Sequence, residues 1–391
     1  MNPTAIQEAL REHGLDAWLL YDFQRMNPIA NRIAGIASNR HTTRRWFGLV
    51  PATGEPTWLH HAIEGHLFSH LPGRRISYVG WRELEAELAK LVAGRRRVAM
   101  EYSPRNAIPY VSRVDAGTVE LVRSLGVEVV SSADLVQVFE ARWGQAGLRS
   151  HLRAAKHLEE IARLAHGWVT EVARQGRTIG EHELQHRMVA EYEARGLVTN
   201  GPPIVAHNAH AGNPHFEPTA ENSEPIAPGD VLLLDLWVKE KGEDAIYADV
   251  TWMAFVGPRV PDEVERVWQA VAGARDAGIA YVVEHARAGE RIAGANVDDV
   301  TRAFVAARGL AEHFIHRTGH SIGIETHGNG ANIDNLETRD GRSLLSDTGF
   351  SIEPGVYLPA FGVRSEIDMY LGATGAEVTT YIQRALPALL A

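Results

Sequence analysis

Short apolar runs and stretches of helical spacing alternate along the first 140 residues. Residues 3–13 have the apolar spacing of a helix, and a second helical stretch separates the last two apolar runs. The predicted strands are residues 16–21, 46–51, 56–60, 98–101 and 127–130. Alternation of this kind is typical of an α/β domain.

Beyond about residue 140 the pattern changes to long helices followed by strands. Residues 151–175 predict a long amphipathic helix, because apolar residues recur at three- and four-residue intervals. Thr178 and Glu181 have the spacing of a capping box, which predicts a second helix that ends near residue 193. A third helix is predicted at residues 261–288.

This change of pattern predicts two domains. A chain of 391 residues is long enough for two or three separate cores. We place the boundary between residues 145 and 146, so that a smaller α/β domain precedes a strand-rich domain. The second domain carries most of the polar residues that interrupt apolar runs.

The composition excludes several classes of protein. The chain has no cysteine, which excludes disulfides and thiolate metal sites and fits a reducing compartment. Its net charge of -10 and the lack of a basic stretch argue against nucleic-acid binding. No segment has the roughly 20 apolar residues that cross a membrane, and the first residues do not resemble a leader, so we expect a cytoplasmic protein.

Two aspartates lie inside neighbouring apolar runs. Asp235 interrupts VLLLDLWV, and Asp249 interrupts IYADVTWMAFVG. If the runs form a hairpin that turns near Gly242, the two residues are equidistant from the turn and face one spot. A strand-end cap or a salt bridge would explain one buried aspartate, but two together favour a metal.

Two glutamates repeat this pattern near the end of the chain. Glu353 lies in GFSIEPGVYL and Glu366 in GVRSEIDMYL, both read as apolar strands. Four buried negative charges within a few ångströms require counter-charge, and two divalent cations would supply it. One histidine from HRTGHSIGIETHG, added to four carboxylates, suits manganese, cobalt, iron or zinc rather than calcium.

A second histidine-rich segment lies in the first domain. HHAIEGHLFSH contains His60, His61, His66 and His70, and a metal site is one interpretation. We favour the alternative, an exposed histidine-rich helix or loop.

The residues Asp235, Asp249, His320, Glu353 and Glu366 resemble the five-ligand signature of the pita-bread metallopeptidases. Matching strings flank them: PHFEP at 214–218, TGHSIG at 318–323, IEPGVY at 352–357 and GVRSE at 362–366. The family includes methionine aminopeptidases, Xaa-Pro aminopeptidases, prolidases and the metal-free creatinases. The resemblance covers residues from about 150 to the end and, more loosely, the first domain, which looks creatinase-like.

The resemblance implies an α+β architecture and a role for each ligand. The C-terminal domain would have the pita-bread fold and hold two divalent ions per subunit, with manganese the first expectation and zinc or cobalt the alternatives. Asp235 would bind one ion, and His320 with Glu353 the other. Asp249 and Glu366 would bridge them, and a hydroxide between the ions would attack the substrate.

The same resemblance implies residues that act on the substrate. Glu353 would be the general base, His215 would lie near the scissile bond, and His327 would contact the substrate carbonyl. His316 and Arg364 match pocket residues of the proline-specific members. A homodimer is expected, with proline-containing peptides as substrates.

Three features depart from the family pattern. The two aspartates are 14 residues apart, where 11 is usual, and Ser321 follows His320 where many members have glycine. The segment 199–203 also lacks a tyrosine that many prolidases carry ahead of the histidine matched by His215.

The predicted activity is metal-dependent hydrolysis of Xaa-Pro dipeptides, as in prolidases. The alternative is an Xaa-Pro aminopeptidase that removes the first residue of longer peptides. A methionine aminopeptidase would not need the first domain, and a creatinase-like enzyme would lack the complete ligand set. An inactive relative used for binding is a further alternative, although such relatives usually lose ligands.

Overall fold

A computed structural model describes all 391 residues, and their mutual contacts divide the chain into two compact units. The first unit is Met1–Glu140 and the second is Ala141–Ala391, whereas the sequence pattern places the division five residues later. Each unit has its own buried apolar core. None of the helices combines the length and the apolar character that crossing a bilayer requires.

The first unit is built on one mixed six-stranded sheet in the order β4-β3-β2-β1-β5-β6. Its strands are β1 (Ala17–Asp22), β2 (Trp46–Pro51), β3 (Thr57–His61), β4 (Arg74–Tyr78), β5 (Arg97–Met100) and β6 (Glu128–Ser131). Its helices are α1 (Pro3–Glu12), α2 (Pro28–Ala34), α3 (Trp81–Val92), α4 (Ala116–Ser124) and α5 (Ala133–Glu140). The sequence pattern missed β4, because most of that edge strand is exposed and it has no apolar run.

The predicted histidine segment of the first unit surrounds a short 3-10 helix, Ala62–Phe68. His60 is buried and its ring stacks on Phe68, and the ring of His61 accepts a hydrogen bond from the backbone of Ile63. These histidines do not form one of the three-residue clusters that could hold a metal ion.

The second unit contains the remaining helices and four small sheets. Its helices are α6 (Gln145–Arg174), α7 (Glu181–Ala194), α8 (Asn208–Ala211), α9 (Asp262–Ala288) and α10 (Gly294–Ala306). Its first strands are β7 (Ile179–Gly180), β8 (Leu197–Val198), β9 (Ile204–His207), β10 (Pro225–Ile226), β11 (Val231–Glu240) and β12 (Ala248–Phe255). The rest are β13 (Ser321–Ile322), β14 (Thr348–Ile352), β15 (Gly355–Tyr357), β16 (Gly362–Arg364), β17 (Ile367–Gly372) and β18 (Gly375–Val378).

The predicted capping box at the start of α7 is wrong. The helix begins at Glu181, its N-cap is Gly180, and no side chain caps it. The two residues before the helix form β7, which pairs with β10 and leaves Thr178 outside the first helical turn. The Glu181 carboxylate instead bonds to groups beyond its own helix.

The hairpin of β11 and β12 has a different register from the predicted one. Asp235 pairs with Thr251, and Trp237 pairs with Asp249. The turn is therefore centred on residue 243, one residue beyond the predicted centre, which shifts the pairing by two positions. Because side chains alternate with a period of two, both aspartates still lie on the same face of the hairpin.

Candidate metal centre

Five segments of the second unit bring the predicted metal ligands together, and we call Asp235, Asp249, His320, Glu353 and Glu366 the carboxylate centre. Asp235 lies on β11 and Asp249 on β12. Glu353 directly follows β14, and Glu366 lies between β16 and β17, so the prediction that both lie inside strands is wrong. Their backbone N–H groups donate to carbonyl oxygens of other segments, that of Glu353 to Thr318 at 2.7 Å and that of Glu366 to Thr251 at 3.4 Å.

Two sets of contacts show how close these side chains are. The Thr251 hydroxyl is 3.2 Å from Asp235 Oδ1 and 2.8 Å from Glu366 Oε2, so it joins two carboxylates. His320 Nε2 is 3.6 Å from Asp249 Oδ2 and 3.4 Å from Glu353 Oε1. The donor atoms of Asp249, His320 and Glu366 can be grouped within 4.8 Å of one another.

Burial makes this concentration of carboxylates costly. Burial and the neighbouring Asp235 raise the pKa of Asp249 well above its ordinary value, and burial and Asp249 do the same for the pKa of Glu366. Burial raises the pKa of Glu353 to about 7. Asp249 Oδ1 is buried without a hydrogen-bond partner. An orphaned oxygen among four crowded carboxylates fits a site for cations, because a cation would supply both the contact and the charge.

His320 is prepared as a neutral nitrogen ligand. Its Nδ1 is 3.1 Å from the Ser321 carbonyl oxygen, so Nδ1 carries the proton and Nε2 presents its lone pair to the carboxylates. Burial lowers the pKa of His320 well below its ordinary value, which keeps the ring neutral. The close approach of the chain before it requires Gly319, where an added Cβ would overlap the Ser351 carbonyl oxygen.

Arg364 is the buried counter-charge of the centre. Its Nη2 donates to Asp235 Oδ2 at 2.5 Å and its Nε donates to the Thr251 hydroxyl at 2.9 Å. Burial opposes the charge, but Asp235 raises the pKa of Arg364 well above its ordinary value. Its Nη1 is 3.3 Å from both the Pro214 carbonyl oxygen and the Tyr357 hydroxyl. The predicted contact between Arg364 and the substrate stays a prediction.

The Tyr357 hydroxyl connects His316 to Arg364. His316 Nδ1 is 2.6 Å from the Arg317 carbonyl oxygen, so this nitrogen donates and Nε2 accepts a hydrogen bond from the Tyr357 hydroxyl at 2.7 Å. Burial, with the nearby Arg364, lowers the pKa of His316 to about 3. Tyr357 lies in the IEPGVY string, but the sequence analysis assigns it no role.

The two remaining predicted histidines are both exposed, in contrast to His320. The ring of His327 meets that of His320 edge to face, with centroids 4.4 Å apart. Partial desolvation of its side chain lowers the pKa of His327 to about 4, and the nearby Arg317 and His215 contribute to this shift. The exposed His327 therefore lies at one side of the centre, which we call the open side, and the roles of His327 and His215 stay predictions.

The sequence pattern missed one buried carboxylate beside the centre. Asp368 lies on β17, is fully buried and accepts a hydrogen bond from the backbone N–H of Asp249 at 2.9 Å. His151 Nε2 is 3.9 Å from the same Asp368 oxygen. The alternation Glu366-Ile367-Asp368 was the available signal, because alternate residues of an extended segment face the same side.

The structure gives physical reasons for two of the family departures. Ser321 accepts a hydrogen bond from the backbone N–H of Gly330 at 3.1 Å, so its hydroxyl ties the glycine-rich loop to the segment of His320. In the segment that lacks the tyrosine, Asn200 accepts hydrogen bonds from the Trp237 indole at 2.7 Å and the Thr326 hydroxyl at 3.2 Å. Trp237 pairs with Asp249 in the hairpin.

Comparison with known proteins places this geometry in context. The family model for metallopeptidase family M24 matches residues 153–373, more than half of the chain. The uncharacterized peptidase YqhT of Bacillus subtilis is 28% identical over 261 residues, which cover 66% of this chain and 69% of that protein. An Xaa-Pro dipeptidase of Lactobacillus delbrueckii subsp. lactis is 29% identical over 196 residues, 49% of this chain. That match spans 48% of the dipeptidase, about half of its length.

A solved structure matches nearly the whole chain. Dipeptidase PepE from Mycobacterium ulcerans is 21% identical, and the match covers 99% of this chain and 96% of that chain with a TM-score of 0.75. At this identity the likeness establishes the fold alone.

Proposed function

The chain belongs to metallopeptidase family M24 and has its α+β pita-bread fold, and we propose that it hydrolyses Xaa-Pro dipeptides. The family membership confirms the resemblance predicted from the five ligands and their flanking strings. The dipeptide specificity rests on the Xaa-Pro dipeptidase of L. delbrueckii and on the residues that resemble those of proline-specific members.

One observation carries the proposal: the five predicted ligands, 131 positions apart from first to last, converge at one buried spot. Thr251 joins Asp235 to Glu366, and His320 reaches both Asp249 and Glu353. A set of four carboxylates and one neutral imidazole fits two divalent cations, because the buried side chains of Arg364 and Arg317 carry two positive charges against four negative ones.

We assign the ligands as the resemblance implies. Asp235 would hold one ion, His320 and Glu353 the other, and Asp249 and Glu366 would lie between them. Bound divalent ions would neutralise the carboxylates, polarise the scissile carbonyl group and lower the pKa of water at the site. Manganese is the metal we expect first, with zinc and cobalt as alternatives.

Three side chains of the protein would act on the water and the substrate. Glu353 would accept a proton from the attacking water, because its carboxylate is at the centre and Ser351 Oγ, 3.3 Å from Oε1, orients it. His327 is neutral and at the open side, where its N–H would donate to the oxyanion of the substrate. The same proton would pass from Glu353 to the departing proline nitrogen, and His215 would help to protonate or position that nitrogen.

The proline side of the substrate is assigned to Arg364 and His316. A tertiary amide has no N–H to recognise, so the ring and the terminal carboxylate of the dipeptide must supply the contacts. Tyr357 links Arg364 and His316 through two hydrogen bonds, which fixes both side chains relative to the ligand Asp235. We infer that these residues position the proline end.

Proline release from an Xaa-Pro dipeptide and from an Xaa-Pro-Yaa tripeptide tests the proposal. Manganese-loaded protein should cleave the dipeptide, and a chelator should abolish the reaction. Cleavage of the tripeptide after its first residue would establish the aminopeptidase alternative. No cleavage of either peptide by protein that binds metal would refute the substrate assignment. Light scattering of the same sample tests the expected homodimer, and fractionation tests the cytoplasmic location.

A further inference from the structure

A second group of metal-ligating side chains lies outside the carboxylate centre, and we call Glu181, His207 and His210 the Glu181 cluster. Its donor atoms also lie within 4.8 Å of one another. Glu181 opens α7, His207 ends β9 and His210 lies on α8. Glu181 and His207 are buried, and the side chain of His210 is 25% exposed. We propose that this cluster binds one divalent transition metal in addition to the ions of the carboxylate centre.

The spacing of the donor atoms fits a cation. His207 Nδ1 is 2.8 Å from Glu181 Oε1, and His210 Nδ1 is 3.0 Å from Oε1 and 2.9 Å from Oε2. Three cis ligands of an octahedral ion, each about 2.1 Å from it, are separated by about 3.0 Å. Two imidazoles and one carboxylate on one face leave the opposite positions of the ion for water.

The carboxylate is oriented without help from the two histidine rings. The backbone N–H of His207 donates to Oε1 at 3.0 Å, and that of Glu224 donates to Oε2 at 3.1 Å. If a cation replaces the two Nδ1 protons, Glu181 therefore keeps its place. The exchange needs only a change of tautomer, because each neutral ring can carry its proton on Nε2 instead.

The surroundings of the rings support that tautomer. His207 Nε2 is 3.6 Å from Asp230 Oδ2, so a proton on Nε2 faces a carboxylate, as is usual for histidines that bind metal through the other nitrogen. The ring of His210 stacks on Phe216 with centroids 4.1 Å apart, which fixes its plane. The partial exposure of His210 gives a cation access from solvent.

The cluster also borders the segment that carries a predicted catalytic histidine. His215 lies five residues after His210, and Pro214 between them accepts a hydrogen bond from Arg364. A metal that fixes His210 would therefore restrict the start of this segment.

Metal counting on the full chain tests the proposal. Chelator-treated protein is dialysed against Co²⁺, and bound cobalt is measured by mass spectrometry in the wild type and in His210→Gln. Glutamine can still donate to Glu181 but removes the imidazole ligand. The variant should bind one ion fewer per chain than the wild type. His186→Gln, which changes an exposed histidine of α7 outside the cluster, is the matched control and should keep the wild-type count.

A second background separates the two sites. Asp235→Asn with Glu366→Gln weakens the carboxylate centre, and this protein should still bind one ion that the further change His210→Gln removes. In zinc-loaded protein the ring nitrogens of His207 and His210 should show direct coordination in ¹⁵N NMR spectra. Equal cobalt counts with and without His210→Gln in both backgrounds would overturn the proposal and leave a hydrogen-bonded cluster. The cobalt counts do not depend on peptidase activity. They therefore test the Glu181 cluster even if the chain does not cleave Xaa-Pro dipeptides.

Discussion

The carboxylate centre and the Glu181 cluster both bury acidic side chains near histidines, but their charges are satisfied in opposite ways. Glu181 accepts two backbone N–H groups and faces two imidazoles, and although burial opposes it, the His207 hydrogen bond and the Glu224 N–H lower its pKa. Asp249 has one orphaned oxygen, and burial raises its pKa. In the metal-free protein Glu181 therefore already has hydrogen-bond partners from the chain, whereas Asp249 Oδ1 has none.

The largest expected effect is on catalysis at the carboxylate centre. Glu353→Gln should lower the turnover of an Xaa-Pro dipeptide by roughly 10²–10⁴-fold or more, because loss of a general base typically has an effect of this size. The rate of proline release by metal-loaded protein measures this turnover. Glu243→Gln, in the exposed loop between β11 and β12, is the control and should keep wild-type turnover. A Glu353→Gln protein with near-normal turnover would exclude this residue as the base.

The effect of Asp249→Asn on the free energy of unfolding should have opposite signs without and with bound metal. Above its unfolded pKa the folded, metal-free protein retains a proton that the unfolded chain releases, so the free energy of unfolding falls as pH rises toward the raised pKa of Asp249. Asp249→Asn should therefore stabilise metal-free protein at pH 8. With metal at about 100 times its Kd, the wild type gains about 2.7 kcal/mol.

Asp249→Asn should lose most of the stabilisation by metal. Urea unfolding without manganese measures the expected rise in the free energy of unfolding, and unfolding with manganese measures the expected loss. Destabilisation of the metal-free variant would show that the Asp249 carboxylate is satisfied by the protein itself, which would remove the contrast between the two regions.

The corresponding change in the Glu181 cluster should destabilise the metal-free protein. Glu181→Gln replaces an acceptor oxygen that faces backbone and imidazole N–H groups by an amide nitrogen, and leaves buried donors without a partner. A loss of about 1–3 kcal/mol in the free energy of unfolding is expected. Glu183→Gln, exposed on the same helix, is the control and should unfold like the wild type. An unchanged Glu181→Gln protein would mean that the donors find other partners.

The smallest expected effect is the pH dependence of the Glu181 cluster without metal. Burial opposes protonation, but the hydrogen bond to Glu181 raises the pKa of His207 overall. This contribution to stability is fully present below the unfolded pKa near 6.5 and is lost as pH rises through the folded pKa. Urea unfolding from pH 5 to 9 should show this loss in the wild type but not in His207→Gln. Identical slopes in the two proteins would assign the pH dependence to other groups.

The sequence determined the chemistry of the carboxylate centre because its residues violate the apolar pattern around them. Asp235 and Asp249 interrupt buried apolar runs. The free-energy cost of burying a carboxylate has few compensations besides ion pairs and bound cations. The same pattern predicts Glu353 and Glu366, and the family resemblance selects His320 among the histidines of its segment. The long helices and most strands of the first unit were also readable, because local periodicity encodes them.

Only the tertiary structure decided the register, the hidden partners and the Glu181 cluster. The hairpin register depends on where the turn closes, a choice that shifts pairing by two residues without changing which face is apolar. Thr251, Tyr357 and Asp368 matter through contacts with residues far along the chain. Glu181 has the sequence spacing of a cap, yet its carboxylate bonds to histidines 26 and 29 residues away, because long-range packing overrode the local alternative.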